Sequence, residues 1–579
     1  MNIMKLNRII AVFASVLLLS SCNYLLEKSP LGSLAVENYY TTEEEVNTAV
    51  LGVYHVFMTE NFGLYHYLHV GDNISDDSEL GNSRSDGLAW AGNAKSLVQY
   101  NILTTNSDAC NNTWNQDWQV VTKSNYIIEN AEKNDIPNKD LYIAEAKFLR
   151  SYVYFDMAAQ LGGLPLVDHI LTPEEFYMPR ASMEDTWSFI EQGFTEAAAG
   201  LPTSWDSANT GRATKGTALA MLARTYVYHA SYDKKQETWQ KAYDALKQVI
   251  DGGYFQLLPN FGDVFKYENR NNKEICFSIQ FWFTVTGWGD SNDGNMMSFY
   301  GRDAGVKLSD LYSTDPSIPN NKILDDLLGP GTYDWVYNTM KEEGVFVDAN
   351  GEPRGYDKKM TGWSLHCPTW DLYNAFEEGD PRRGYTIIER GEKFDGFTHF
   401  NLSSPSGFQS KKEYCPMEYR YDPGNEDNLG MNLIVLRYAD ILLYMAETCN
   451  ELGKGSEALQ YLEMVRARAR NSGSDPNVLP RITETDQAKL RELIWHERRV
   501  ELAMEYNRYY DLSRTGRLYE TMKKYYETYE VDSVPAPYNS GQKKGINVQP
   551  YHVHMPISNQ AIQASVYDGV QTLTQNEGY

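Results

Sequence analysis

Residues 140–161 read DLYIAEAKFLRSYVYFDMAAQL and run into Gly162-Gly163-Leu164-Pro165-Leu166. Apolar residues recur in that stretch at intervals of three and four, the period that lines one face of an α-helix, and the glycine pair with its following proline stops it. The same period extends outward in both directions. Upstream it predicts a helix over Trp114–Ala131, and downstream over Met183–Leu201, Thr214–Tyr232 and Thr238–Asp251, where Gly252-Gly253 marks a turn. An earlier helix opens at Thr42, an N-cap residue followed by Glu43, Glu44 and Glu45 in the first turn, where the helix dipole favours acids. Helices resume at Ala439–Gly453, Ser456–Asn471, Thr485–Met504 and Arg508–Thr515. Successive helices of this size predict a mainly α, repeat-like scaffold, although no repeat matches the tetratricopeptide consensus closely.

Two stretches break the pattern. From Asn61 to Asn112 the chain is rich in Gly, Asn, Asp and Ser, and an excursion of that length in a compact protein is usually functional. Residues 252–430 mix a β-prone run, Glu274–Phe283, with frequent Gly, Asn, Asp and Pro, and read as a large, irregular, loop-rich insert. The expected organisation is therefore 1–21 as a leader, 22–41 as a tether, 42–251 as an N-terminal helical region, 252–430 as the insert and 431–579 as a C-terminal helical region.

The leader reading rests on Lys5 and Arg8, the apolar run Ile9–Leu19, and Leu19-Ser20-Ser21-Cys22. The run is about a dozen residues, the size of a signal-peptide core and too short to span a bilayer. Small residues before a cysteine suit cleavage there and lipidation of Cys22, and several acyl chains on one residue give stable anchoring. The formal net charge of −26 is wrong for nucleic acid, whose phosphates need a basic footprint. Aromatics are abundant, with 42 Tyr and 12 Trp, and aromatic faces suit the C–H faces of sugars. Beyond Cys22 the cysteines at 110, 276, 367, 415 and 449 are scattered, with no C-x-x-C, so they form neither a disulfide framework nor a zinc motif.

Several segments, in order, resemble the SusD/RagB family. Ala144-Glu145-Ala146-Lys147-Phe148-Leu149-Arg150 with Gly162–Leu166, then Gly211-Arg212-Ala213-Thr214, then Pro368-Thr369 with Phe376–Arg382 are similar to its first motifs. Leu436–Glu447, Val465–Ala469, Glu497–Ala503, Arg508–Leu512, Pro556-Ile557-Ser558 and Gln575–Tyr579 resemble its C-terminal ones. The resemblance implies a tetratricopeptide-like helical scaffold, outer-membrane location and cell-surface capture of an oligosaccharide. It also implies delivery of that ligand to a SusC-like TonB-dependent transporter. Peptide capture of the RagB kind is the alternative within binding proteins, and a surface glycoside hydrolase is the rival of another class.

Arg437, Asp440, Glu447, Glu497, Arg498 and Glu501 invite a catalytic reading, but their helical spacing favours buried ion pairs that fix helix packing. His496-Glu497 lacks the second histidine of a zincin, His552 and His554 have no evident third ligand, and no phosphate loop or nucleophile elbow is present. No catalytic residue, cofactor or metal site is therefore expected. For the ligand, Trp90-Ala91-Gly92-Asn93 places an aromatic platform and an amide three apart in a Gly-rich loop, an arrangement that resembles a glycan-contacting loop of starch-binding relatives. The other reading of Trp90 is an anchor of that loop. Trp288 and Trp363 each follow a glycine in the insert, and Trp363 shortly precedes the Pro368 helix, where relatives also carry a binding aromatic. Trp282, Tyr300 and Trp335 stand in reserve, as do Asp72, Asn73 and Arg84 for polar contacts. Trp187, Trp239 and Trp495 sit within helices and read as packing residues.

Overall fold

The computed structural model describes residues 39–59, 70–81, 92–102, 108–281, 325, 328–345, 347–353, 364–419 and 430–579. Numbered along the chain, the helices of the first half are α1 Glu43–Met58, α2 Gly92–Val98, α3 Asp108–Lys133, α4 Lys139–Leu161, α5 Met183–Gly200, α6 Lys215–Asp233 and α7 Gln236–Gly252. Thr42 caps α1 as expected: its hydroxyl accepts from Glu45 N while the Glu45 carboxylate accepts from Thr42 N, a reciprocal capping box. Gly162 ends α4 with φ +84°, a conformation in which glycine carries no Cβ penalty.

Each helix from α3 to α7 packs on the next, and α1 lies against α3 and α4. The second half adds α8 Thr332–Glu343, α9 Trp370–Ala375, α10 Pro381–Thr386, α11 Tyr438–Glu451, α12 Gly455–Asn471, α13 Gln487–Glu501, α14 Arg508–Arg514, α15 Leu518–Tyr525 and α16 Asn559–Ala564. α11 packs on α7, α12 and α13, so the two helical runs are continuous in space. They share one core, which runs from Val46 through Tyr152 and Trp187 to Tyr444, Tyr509 and Leu573. The architecture is the mainly α scaffold that the periodicity predicts, and it is tetratricopeptide-like as the family resemblance implies. No helix among the described residues is long and apolar enough to cross a membrane.

The β-prone run of the insert forms a strand over Ile275–Ile279, paired antiparallel with Leu433–Arg437. That second strand runs directly into α11. Elsewhere the insert holds short ladders, such as Ile387–Glu389 with Phe408–Ser410, over small satellite cores.

Candidate functional site

Of the residues singled out for ligand, Trp90, Trp288, Trp363, Trp282, Tyr300 and Arg84 lie outside the described residues, as does Cys22. Asn93 falls in α2, so its backbone is helical and not part of an irregular loop. Asp72 and Asn73 are corrections to the reading of polar ligand contacts. Both are buried. Asp72 accepts from Tyr506 N at 3.0 Å and pairs with His366 Nε2 at 3.1 Å, while Asn73 Oδ1 accepts from the Ser78 hydroxyl. Trp335 stands half-exposed on α8 with its ring edge-on to Phe400 at 5.1 Å. Trp187 and Trp239 are core residues, and Trp495 is half-buried, donating from Nε1 to Glu447 at 3.1 Å.

The charged motif residues form two buried knots. Glu501 accepts from Arg437, Arg468 and Arg382 together, and Arg382 and Arg466 converge on Glu497. In the second knot Arg498 binds Asp440 and Asp511, and Arg514 binds Asp511 and Glu447. A buried charge is tolerated when it is paired and hydrogen-bonded. These arginines and carboxylates join strand 433–437, α11, α13 and α14 to one another.

One cluster has donors of metal-ligating type. Glu184, His229 and Asp233 bring ligand atoms within 4.8 Å of one another. Lys235 Nζ already lies 3.2 Å from Glu184 and 3.5 Å from Asp233, and Glu191 takes His229 Nδ1 at 2.6 Å. Burial works against a charged His229, yet Glu191 and its neighbours raise its pKa, so the donors of this group are already engaged in an ion cluster.

Two of the larger clefts lined by described residues could hold a saccharide unit. The first, about 640 Å³, lies between the end of α1, the 207–212 loop and the strand at 275–279. Phe57 and Phe277 form its floor, both edge-on to Tyr152 at about 5 Å, with Asn271 and Gln280 among its polar groups. Gly211 lets the loop approach the strand: it sits at φ +93°, and a Cβ there would meet Gln280 Cγ at 2.2 Å. Arg212 is held in the wall by paired hydrogen bonds to Glu145 and lies 4.5 Å over the Trp205 ring. The sequence immediately after the lining residue Phe281 carries Trp282 and Trp288. The second cleft, about 560 Å³ and lined mostly by polar groups, lies between α13 and α15.

This helical scaffold has counterparts among known proteins. A family model described as "SusD family" matches residues 334–579, and one described as "Starch-binding associating with outer membrane" matches 41–227. The chain belongs to the SusD/RagB family. A SusD-like protein of Formosa agariphila is 26% identical over 577 residues, covering 97% of each chain, and one of Bacteroides ovatus is 23% identical over 536 residues, covering 88% of this chain and 83% of the other. Among solved structures, a SusD homologue from Bacteroides thetaiotaomicron superposes with a TM-score of 0.70 at 21% identity, over 95% of this chain and 99% of the other. A laminarin-binding SusD-like protein superposes at 0.67 with 23% identity, over 93% of this chain and all of the other. The surface glycan-binding protein A of Bacteroides thetaiotaomicron, in complex with laminarihexaose, does so at 0.66 with 19% identity and the same coverage.

The signal that the notable missed features lacked is local. Strand 433–437 finds its partner far off in the sequence, in residues 275–279, and the stacking of Arg517 on Trp495 joins two helices.

Proposed function

We propose that this SusD/RagB protein captures oligosaccharide at the cell surface without making or breaking bonds, and hands it to a TonB-dependent transporter barrel. The observation that carries this reading is the near full-length match to proteins whose names state glycan or laminarin binding, one of them holding laminarihexaose. The first cleft supports it chemically. An apolar lining with side-chain amides beside it suits packing against the C–H groups of a sugar plus hydrogen bonds to its hydroxyls. In this reading Trp90, Asn93, Trp288 and Trp363 supply further platforms and an amide, and the five-part division of the chain stands with residues 252–430 contributing much of the ligand face. A lipid on Cys22 holds the body at the outer membrane, exposed at the surface.

The test is a glycan array followed by calorimetry across plant, microbial and host polysaccharides, with reducing ends measured after incubation. Saturable binding with no new reducing ends is expected. Binding of no saccharide, or release of reducing ends, overturns the reading. Affinity purification after gentle detergent extraction should recover a much larger β-barrel protein with the chain.

A further inference from the structure

The second cleft is a groove between two helix faces. Arg517, Thr521, Lys524 and Thr528 come from α15 and its flanking residues at intervals of four, three and four, which places them on one face. Glu492, Trp495, His496 and Arg499 line the opposite wall from α13. The cations here differ in how they are neutralised. Arg499 pairs with Asp371 at 2.6 Å and Asp77 at 2.7 Å, and Arg508 pairs with Asp76 at 2.8 Å.

Among the described residues Arg517 forms no ion pair, although Asp511 and Glu447 act on its charge from nearby. Its Nε donates to the Thr515 hydroxyl at 2.9 Å, and its guanidinium lies 4.0 Å over the Trp495 ring. Trp495 is itself fixed by its hydrogen bond to Glu447. With Nε committed to Thr515, the two terminal nitrogens remain for a ligand in a fixed plane, the geometry that matches a carboxylate or sulfate through two parallel hydrogen bonds. Burial pulls its pKa down to about 10, with Arg508 and Arg514 adding to that and Asp511 and Glu447 opposing it. Lys524, exposed on the same wall, forms no ion pair among the described residues either. In a chain of net charge −26 these cations are left for something outside it.

We propose that the groove between α13 and α15 is a second binding site, which takes the carboxylate or sulfate of an acidic saccharide on the guanidinium of Arg517. Lys524 adds long-range attraction, and the Thr521 hydroxyl offers a hydrogen bond to the sugar. A neutral sugar would leave Arg517 without counter-charge. That the anion is carried by a saccharide rests on the function proposed above; the anion site itself does not.

The test is calorimetry on the full chain with sodium glucuronate, glucose 6-sulfate, inorganic sulfate and glucose. At least one acidic sugar should bind about tenfold or more tighter than glucose, the span of a charge-assisted hydrogen bond. Which acid binds separates carboxylate from sulfate. Arg517→Gln should remove that preference while leaving retention of neutral oligosaccharides unchanged. Lys524→Gln, at an exposed position that does not endanger folding, should weaken the acid by a smaller factor of about two to five. It decides the matter should Arg517→Gln not fold. Equal affinity for acid and glucose, or no loss of acid affinity in these variants, overturns the site while neutral oligosaccharide retention still stands. Arg517-dependent binding of inorganic sulfate with no acidic sugar bound overturns the saccharide assignment, and a chain that also retains no neutral oligosaccharide fails the glycan reading as well.

Discussion

The Glu501 carboxylate lies 2.7 Å from Nη1 of Arg437, both fully buried, and ties the end of α13 to the strand 64 residues before it. Arg437 also pairs with Glu274 and Glu505, and Glu501 with Arg468 and Arg382. Burial alone would raise the Glu501 pKa, but Arg468, Arg437 and Arg382 hold it well below the usual carboxylate range. Glu501→Gln leaves three buried guanidinium groups short of one charge, and breaking a buried pair this way costs about 3–5 kcal/mol. Denaturant melts should show that loss, while binding per folded molecule stays unchanged. A cost below about 1 kcal/mol would sink the view that this knot organises the C-terminal half.

His366 should make stability depend on alkaline pH. Its Nδ1 lies 2.6 Å from Glu413 and its Nε2 3.1 Å from Asp72. Burial disfavours the imidazolium, but the two carboxylates outweigh it and raise the pKa to about 9. An unfolded histidine titrates near about 6.5. A group raised on folding gives its full stabilisation below the unfolded value and loses it as pH climbs to the folded one. The gap in melting temperature between the natural chain and His366→Asn should therefore be wide near about pH 6 and narrow above about pH 9. A gap that does not change with pH would count against this pairing.

Gly211→Ala tests the approach that shapes the first cleft. The backbone there is left-handed, and the new Cβ would lie 2.2 Å from Gln280 Cγ. Gln280 is itself held by Ser278 and Asn432. Strained backbone costs about 1–3 kcal/mol and overpacking adds a similar amount. Shortening Gln280 to Ala in the same background should recover only the overpacking part. Full recovery would mean that the backbone conformation is not constrained.

Trp90→Ala and Trp363→Ala separate binding from packing. A stacking residue at a binding hot spot should cost about 2 kcal/mol or more, roughly thirtyfold in affinity, with melting unchanged. A core Trp should instead lower the melting temperature, because its truncation costs about 3–5 kcal/mol. Retained affinity with a lower melting point would assign both residues to packing.

Cys22→Ser should release the protein from membranes or leave its precursor uncleaved. Recovery of mature, acylated variant in the outer-membrane fraction would rule out Cys22 as the lipid carrier.

What the sequence by itself determined is what depends on near neighbours. The period of three and four in residues 140–161 reappears as α4, and the Thr42–Glu45 capping box is complete within four residues, because helix geometry and caps are set by groups a turn apart. The spacing of Asp440, Glu447, Glu497 and Glu501 likewise foretold packing charges, since residues at that spacing share a helical face. Tertiary structure alone decided which charge meets which. Asp72 read as a candidate ligand contact, yet its partners His366 and Tyr506 are 294 and 434 residues away. Leu433–Arg437 is a strand only because Ile275–Ile279 offers it a ladder. Among the described residues Arg517 forms no ion pair: α13 presents an aromatic ring to it where Arg499 and Arg508 meet carboxylates. Burial and ion pairing act between groups brought together by the whole fold, and no local spacing encodes them.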